Sequence, residues 1–311
     1  MSRSPARIDS VSPAANYRDK QTGGRPLTKS FKAACLQFTA VAAVGPNLEK
    51  GLRLTREAAA AGAELVCLPE YFSGIATEGA RFVPTAFTEA RHPVLPAFRE
   101  AAQELGLTIL LGSLAVTRPD GRVANRSYVI DPSGRITAQY DKIHLFDVDL
   151  GAGKNYRESE DISPGAVATV AETPWGGLGL SICYDLRFPQ LYRELAKAGA
   201  TMLAVPAAFT RLTGRAHWHV LARARAIENG AYVIAPCQNG TLEGGGECFG
   251  HSLIVDPWGE VLADGGEDEG IVIAEIDPAA VDRARGRIPS LTHDRKFSVD
   301  LPGAKRRAAT A

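Results

Sequence analysis

Two segments of this chain echo one another in order, and that doubling limits its architecture more than any other feature. A helical stretch leads into Gly62-Ala-Glu-Leu-Val66, and another leads into Gly199-Ala-Thr-Met-Leu203. Further along each half, Ser127-Tyr-Val-Ile-Asp-Pro-Ser-Gly134 is matched by Ser252-Leu-Ile-Val-Asp-Pro-Trp-Gly259. Each half therefore alternates strands with helices and then closes on a hairpin turned by Asp-Pro-x-Gly. Strand–helix alternation builds parallel pairs with helices laid on the sheet. The expectation is an α/β fold: two mixed sheets stacked face to face, helices on both outer faces, and internal pseudo-symmetry within one domain.

The individual elements follow from periodicity and stop signals. Phe31–Phe38 reads as a strand with Cys35 in the core, and Asn47 is placed to cap a helix whose Leu48, Leu52, Thr55 and Ala59 share a face. Gly62 ends that helix and Glu64–Leu68 is a strand. A helix over Val94–Leu105 stops at Gly106, and a strand runs from Leu107 to Leu111 and on to Val116. After a turn at Pro119-Asp-Gly121, a hairpin pairs Asn125–Ile130 with Arg135–Tyr140. In the second half, Leu178, Leu180 and Ile182 mark a strand, and a helix over 189–198 presents Leu191, Leu195 and Ala198. Strand Thr201–Val205, a helix over Ala216–Glu228 stopped by Asn229-Gly230, and strand Ala231–Pro236 come next. A hairpin of Gly250–Val255 with Glu260–Ala263 closes the half.

Composition narrows the setting. With 35 basic and 35 acidic residues the chain offers no field for nucleic acid or an anionic membrane. Five cysteines, an odd number at wide spacing without a CxxC, argue against a disulfide framework or structural zinc and fit a reducing compartment, the cytoplasm. Residues 1–29 are rich in Ser, Pro, Arg and Gly without apolar periodicity, and 301–311 look alike, so both read as flexible tails around a single domain at 30–300. No stretch approaches the roughly 20 apolar residues that span a bilayer.

Several residues stand where chemistry can be done. Cys183 falls where a strand hands over to a helix, a turn that lifts a side chain from the sheet among backbone N–H groups. A thiol there is a nucleophile only if partners activate it; alone it reads equally as a small buried hydrophobe. Glu70 follows a strand end, a position that faces the pocket edge of an α/β sheet or a solvated loop. Lys142 sits among Tyr140, Ile143, Leu145 and Phe146, and Glu158 lies in a long loop. In His217-Trp-His219 the i, i+2 spacing puts the imidazoles on different helix faces, so the pair reads as surface or capping residues, not joint metal ligands. Gly176, Gly177 and Gly179 precede and occupy a strand, which is wrong for a dinucleotide loop, and Gly244–Gly246 is a flexible loop. No phosphate loop and no GxSxG elbow is present.

Taken together, the motifs resemble the nitrilase superfamily of carbon–nitrogen hydrolases from about Phe31 to Phe297. The matching segments are Leu68-Pro-Glu-Tyr71, Tyr140-Asp-Lys-Ile-His-Leu-Phe-Asp147, Tyr156-Arg-Glu-Ser159, Cys183-Tyr-Asp-Leu-Arg-Phe-Pro189, Ala216-His-Trp-His219 with Arg223-Ala-Arg-Ala-Ile-Glu-Asn229, and Gly250-His-Ser252. The resemblance implies an αββα sandwich, homodimers that continue it, and catalysis by Glu70, Lys142 and Cys183 with Glu158 as fourth member. It implies no metal and no organic cofactor. Cys183 would attack an amide carbonyl after passing its proton to Glu70, and Lys142 with the backbone N–H of Tyr184 would hold the oxyanion. Lys142 is also expected to lower the thiol pKa through its charge.

Phe188-Pro-Gln-Leu-Tyr-Arg193, Phe209-Thr210 with Thr213-Gly214, and Arg287-Ile-Pro-Ser-Leu291 are most similar to the branch of deaminated-glutathione amidases. The resemblance thereby implies a 2-oxo dicarboxylic acid amide as small-molecule substrate. An ω-amidase acting on 2-oxoglutaramate is the alternative, then an N-carbamoyl or aliphatic amide hydrolase, then a non-catalytic scaffold. Such a carboxylate calls for a cation: Arg187, four residues beyond Cys183, pairs with it or serves a structural salt link. Phe209, Thr210 and Thr213 are expected to line the pocket.

Overall fold

The two halves fold by one plan in the computed structural model, which describes residues 29–151 and 155–300 of the 311. Apart from Lys29, the segments expected as tails lie outside the described residues. The first sheet runs Gly270–Ile276, Phe31–Gln37, Ala63–Cys67, Thr108–Thr117, Val123–Ile130, Ile136–Asp141. The second runs Val170–Thr173, Gly176–Leu180, Ala200–Ala204, Tyr232–Ala235, Leu253–Val255, Val261–Asp264. Read in that order, neighbours in both sheets pair antiparallel, parallel, parallel, antiparallel, antiparallel. The doubled sequence is thus a doubled topology.

Strand alternation explains the layers. In Phe31–Gln37, Ala33 and Cys35 belong to the core shared with Leu178, Leu180 and Ile254 of the second sheet. Ala34 and Leu36 point the other way, into a core with Leu54 and Ala58 of helix α1 (Val44–Ala60) and Phe98 of helix α2 (Val94–Leu105). Helices α3 (Pro189–Lys197), α4 (Arg211–Asn229) and α5 (Ala279–Arg287) contribute Leu195, Trp218 and Val281 to the first of these cores. Sheets covered on both faces require apolar residues at consecutive positions, which is why the strands read as near-continuous hydrophobic runs. The architecture is the expected αββα sandwich.

Local expectations needed adjustment. Helix α1 starts at Val44, so Asn47 lies inside it, buried. Its amide accepts from Val41 N–H and donates to the carbonyls of Val41, Ala43 and Ser73, tying the helix start to neighbouring loops instead of capping it. The buried stripe is accordingly Asn47, Gly51, Leu54, Thr55 and Ala58, with Leu48, Leu52 and Ala59 at its margin. On α3 the buried face carries Leu191, Tyr192, Leu195 and Ala196, and Ala198 is exposed. Helix α4 begins five residues before Ala216, at Arg211, so Thr213 stands in its first turn. The strand before Cys183 ends at Leu180, and the hairpin strand expected from Gly250 begins only at Leu253, because Gly250 and His251 both take positive φ.

Candidate active site

Cys183 opens a 3₁₀ turn, Cys183–Arg187, directly after the second sheet's parallel strand, with φ of 48°. A non-glycine residue in the left-handed region is strained and must be held there. Its own N–H donates to the carbonyl of Pro206 at 2.9 Å. Asp185 fastens the rest of the turn: its buried carboxylate accepts from Ile182 N–H (2.9 Å), Tyr140 Oη (2.7 Å), and the amide and ring Nδ1 of His144 (3.0 and 2.7 Å). The Cys183 turn is thereby tied to the segment that carries Lys142. The amide of Tyr184 lies at the turn's start, where helical geometry supplies no carbonyl partner, and so can serve a ligand.

The charged partners come from the first sheet's edge. Glu70, 3% exposed, follows strand Ala63–Cys67, and Lys142, 2% exposed, follows strand Ile136–Asp141. Lys142 Nζ lies 2.9 Å from Glu70 Oε1 and 2.8 Å from Glu158 Oε2. Glu158 begins a 3₁₀ turn after the short strand Asn155–Arg157, and its Oε2 also accepts from Phe146 N–H at 2.7 Å. Glu70 Oε1 accepts from Asn125 Nδ2 at 2.9 Å, and Oε2 accepts from the Ala208 amide at 2.8 Å. Burying two carboxylates is tolerable because one ammonium and several N–H donors face them. The ammonium itself fills the space between the carboxylates, so the cluster is not a cation site.

Electrostatics set the resting state. Burial by itself would lower the Lys142 pKa, but the charges of Glu158 and Glu70 outweigh it and hold the ammonium well above its usual range. Burial first, then the charge of Glu70, push the Cys183 thiol well up; Lys142 pulls it down but does not win. Lys142 lowers the thiol pKa through its charge, as expected, but desolvation and an adjacent carboxylate exceed the pull of one ammonium that is already shared. Cys183 rests as a thiol.

Glu70, Lys142, Glu158 and Cys183 line one cavity of about 380 Å³, together with Tyr184, Phe209, Thr210 and Thr213. Phe82, Phe146 and Ala208 supply further wall. Arg187 does not line the cavity: its guanidinium lies 5.7 Å from the Tyr184 ring and 5.4 Å from that of Phe209, and Nη1 is 3.2 Å from His217 Nδ1. Among the described residues no carboxylate pairs with it, so the structural salt link weighed from sequence is not formed. Sequence reading passed over Asn125 and Tyr71. Asn125 is fully buried and donates to Glu70; Tyr71 has φ of 51° and places its hydroxyl 3.4 Å from Glu158 Oε1.

A buried carboxylate–ammonium–thiol cluster at the sheet edges of a four-layer sandwich defines a cysteine hydrolase of the nitrilase type. Comparison with known proteins agrees: residues 32–286 match the carbon–nitrogen hydrolase family, and the chain belongs to it. It is 43% identical over 270 residues to the deaminated glutathione amidase of Synechocystis, covering 85% of this chain and 98% of that protein. It is 35% identical over 274 residues to human omega-amidase NIT2, covering 88% and 98%. Among solved structures, the Caenorhabditis elegans NitFhit protein superposes with a TM-score of 0.79 at 34% identity, over 89% of this chain and 70% of that one. Saccharomyces cerevisiae Nit3 gives 0.76 at 29%, over 87% and 98%.

Proposed function

We propose that this enzyme hydrolyses the amide bond of a 2-oxo dicarboxylic acid amide, deaminated glutathione foremost, through a thioester on Cys183. The observation that carries the reading is the meeting of Cys183, Glu70 and Lys142 at one cavity with the carboxylate-free Arg187 against its Tyr184 and Phe209 rings. Glu70 takes the thiol proton as sulfur bonds to the amide carbon. Lys142 and the Tyr184 amide stabilise the oxyanion, each donor contributing about 2.7–4 kcal/mol. Collapse of the adduct expels the amine, which leaves with the proton from Glu70. Glu70 then deprotonates the water that cleaves the thioester. Glu158 holds Lys142 in place through both carboxylate oxygens.

Arg187 is suited to the substrate's 2-oxo carboxylate where the substrate reaches past the Tyr184 and Phe209 rings, with Thr210 and Thr213 against the rest of its chain. The chain fits a homodimer: Leu212, Val220 and Ile227 form an exposed stripe on α4, with Val220 66% exposed, a surface suited to a second copy. Among the described residues no helix is long and apolar enough to cross a membrane, and all five cysteines are free and buried, which suits a reducing cytoplasm. An ω-amidase acting on 2-oxoglutaramate is the second reading, supported by the human relative. Comparing kcat/KM for deaminated glutathione, 2-oxoglutaramate and an N-carbamoyl amino acid tests the proposal. Deaminated glutathione should lead; preference for the carbamoyl substrate would overturn the reading.

A further inference from the structure

His219 has partners that the His217-Trp-His219 spacing does not suggest. Its Nε2 lies 2.9 Å from Asp264 Oδ2, and His251 Nδ1 lies 2.9 Å from Oδ1 and 3.2 Å from Oδ2 of the same carboxylate. The three ligand atoms, one from each residue, all fall within 4.8 Å of one another. They come from three separate segments: helix α4, the loop before strand Leu253–Val255, and the end of strand Val261–Asp264. We propose that His219, His251 and Asp264 form a binding site for a zinc-class divalent cation, outside the catalytic cavity.

The donor set selects the metal. Two imidazoles and one carboxylate suit Zn²⁺ and its late first-row neighbours, whereas Mg²⁺ and Ca²⁺ demand oxygen ligands. Tetrahedral ligands at about 2.0–2.2 Å from zinc stand roughly 3.3 Å apart, so the two histidine–carboxylate spacings of 2.9 Å need open by only a few tenths of an ångström, and the two imidazole nitrogens lie within 4.8 Å of each other. In the metal-free arrangement both rings face Asp264 by hydrogen bonding. Moving each ring proton to the other nitrogen turns two lone pairs toward the cation. All three residues are partly exposed, which leaves the fourth position to water.

The supporting shell holds this arrangement in place. His251 keeps φ of 52° because its N–H donates to Gly266 (2.6 Å) and its carbonyl accepts from Trp218 Nε1 (2.7 Å). Trp218 adjoins His219, so one indole fixes helix and loop relative to each other. Gly266 N–H donates to Asp264 Oδ1 at 2.9 Å, and the Phe249 ring stacks on His251 at 4.4 Å. Outer partners of this kind orient ligands in metal sites. Phe249 also donates its N–H to the carbonyl of Phe209, a wall residue of the catalytic cavity. A bound cation would therefore clamp α4 to the last hairpin of the second sheet, next to that wall.

The test uses the full chain, chelator-treated, with Cys183→Ala to remove the catalytic thiol, titrated with Zn²⁺ and with Co²⁺. One equivalent per chain should bind, and the cobalt spectrum should lack a sulfur charge-transfer band. His219→Ala and Asp264→Asn should each weaken binding by at least about tenfold, the loss seen even for outer-shell partners. His219 lies on an exposed helical face, and unchanged metal-free melting of its variant will show that the fold persists. Zinc should raise the melting temperature of the parent more than that of either variant. Binding unaffected by both substitutions, a sulfur band, or no saturation below millimolar metal would overturn the proposal.

Discussion

The first and second halves share strand order and pairing sense, yet they leave their first parallel strand in different ways. After Gln37 the chain continues through Thr39, whose hydroxyl donates to the Asn239 carbonyl, and Ala40, whose amide donates to Gln238 Oε1. After Leu180 it bends instead into the left-handed Cys183. The first half contributes the buried charge of Glu70 and Lys142, which follow its second and last strands; the second contributes the sulfur, and both halves supply the apolar wall. They are joined where equivalent connections meet, since Ala208 donates to the Glu70 carboxylate and Gln238 Nε2 to the Glu70 carbonyl. The two halves thus share a scaffold and differ at strand ends, which place the carboxylate and ammonium in one half and the thiol in the other.

The sharpest way to break this division is at the sulfur. Cys183→Ala should lower kcat by about 10⁴-fold or more, and adding Thr39→Cys at the equivalent connection should restore nothing. Recovery of turnover in that double variant would show the halves to be interchangeable. Glu70→Gln should cost about 10²–10⁴-fold in kcat. It should also move thiol alkylation to lower pH, because the Glu70 charge pushes the Cys183 pKa up. An alkylation profile that stays in place would remove Glu70 as the thiol's partner.

Lys142→Met leaves two buried carboxylates facing each other and should destabilise the fold by about 3–5 kcal/mol in urea unfolding. Glu70→Gln keeps the Lys142–Glu158 pair and should cost less; the reverse order would contradict the charge balance described. Arg187→Ala should lower kcat/KM for 2-oxo acid amides by about 10–100-fold, the worth of a charge-assisted contact, and spare neutral amides. An equal loss on both would make Arg187 structural.

A smaller effect separates the halves away from the site. His92, in the first half, is pushed by burial from 6.5 down to about 4. The unfolded chain takes up that proton first, so stability should fall as pH drops from 6.5 toward 4. His92→Gln should flatten that limb without changing stability at pH 8, and unchanged acid sensitivity would exclude His92 as its source.

Much of this was readable along the chain because it is local. Gly106 and Gly230 stop their helices in left-handed conformation, and the Asp131 and Asp256 turns close their hairpins through side-chain bonds to following amides. Glu70, Lys142, Glu158 and Cys183 stood out because each follows a strand or sits in a motif. The helix face of α1 was misread because Asn47 looks like a cap until the loops that use its amide are in place. Asn125, the Ala208 amide and the His219–Asp264–His251 group carried little or no separate signal, since their partners lie far away in sequence.

Residue order alone therefore dictates the repeated strand–helix units and the reactive side chains, through propensity and alternation that act over a few neighbours. The thiol's high pKa, the pairing of one lysine with two acids, and the seating of Arg187 on the Tyr184 and Phe209 rings arise only when the sheets stack. Desolvation and charge act through space, and their strength is set by which distant groups burial brings within a few ångströms.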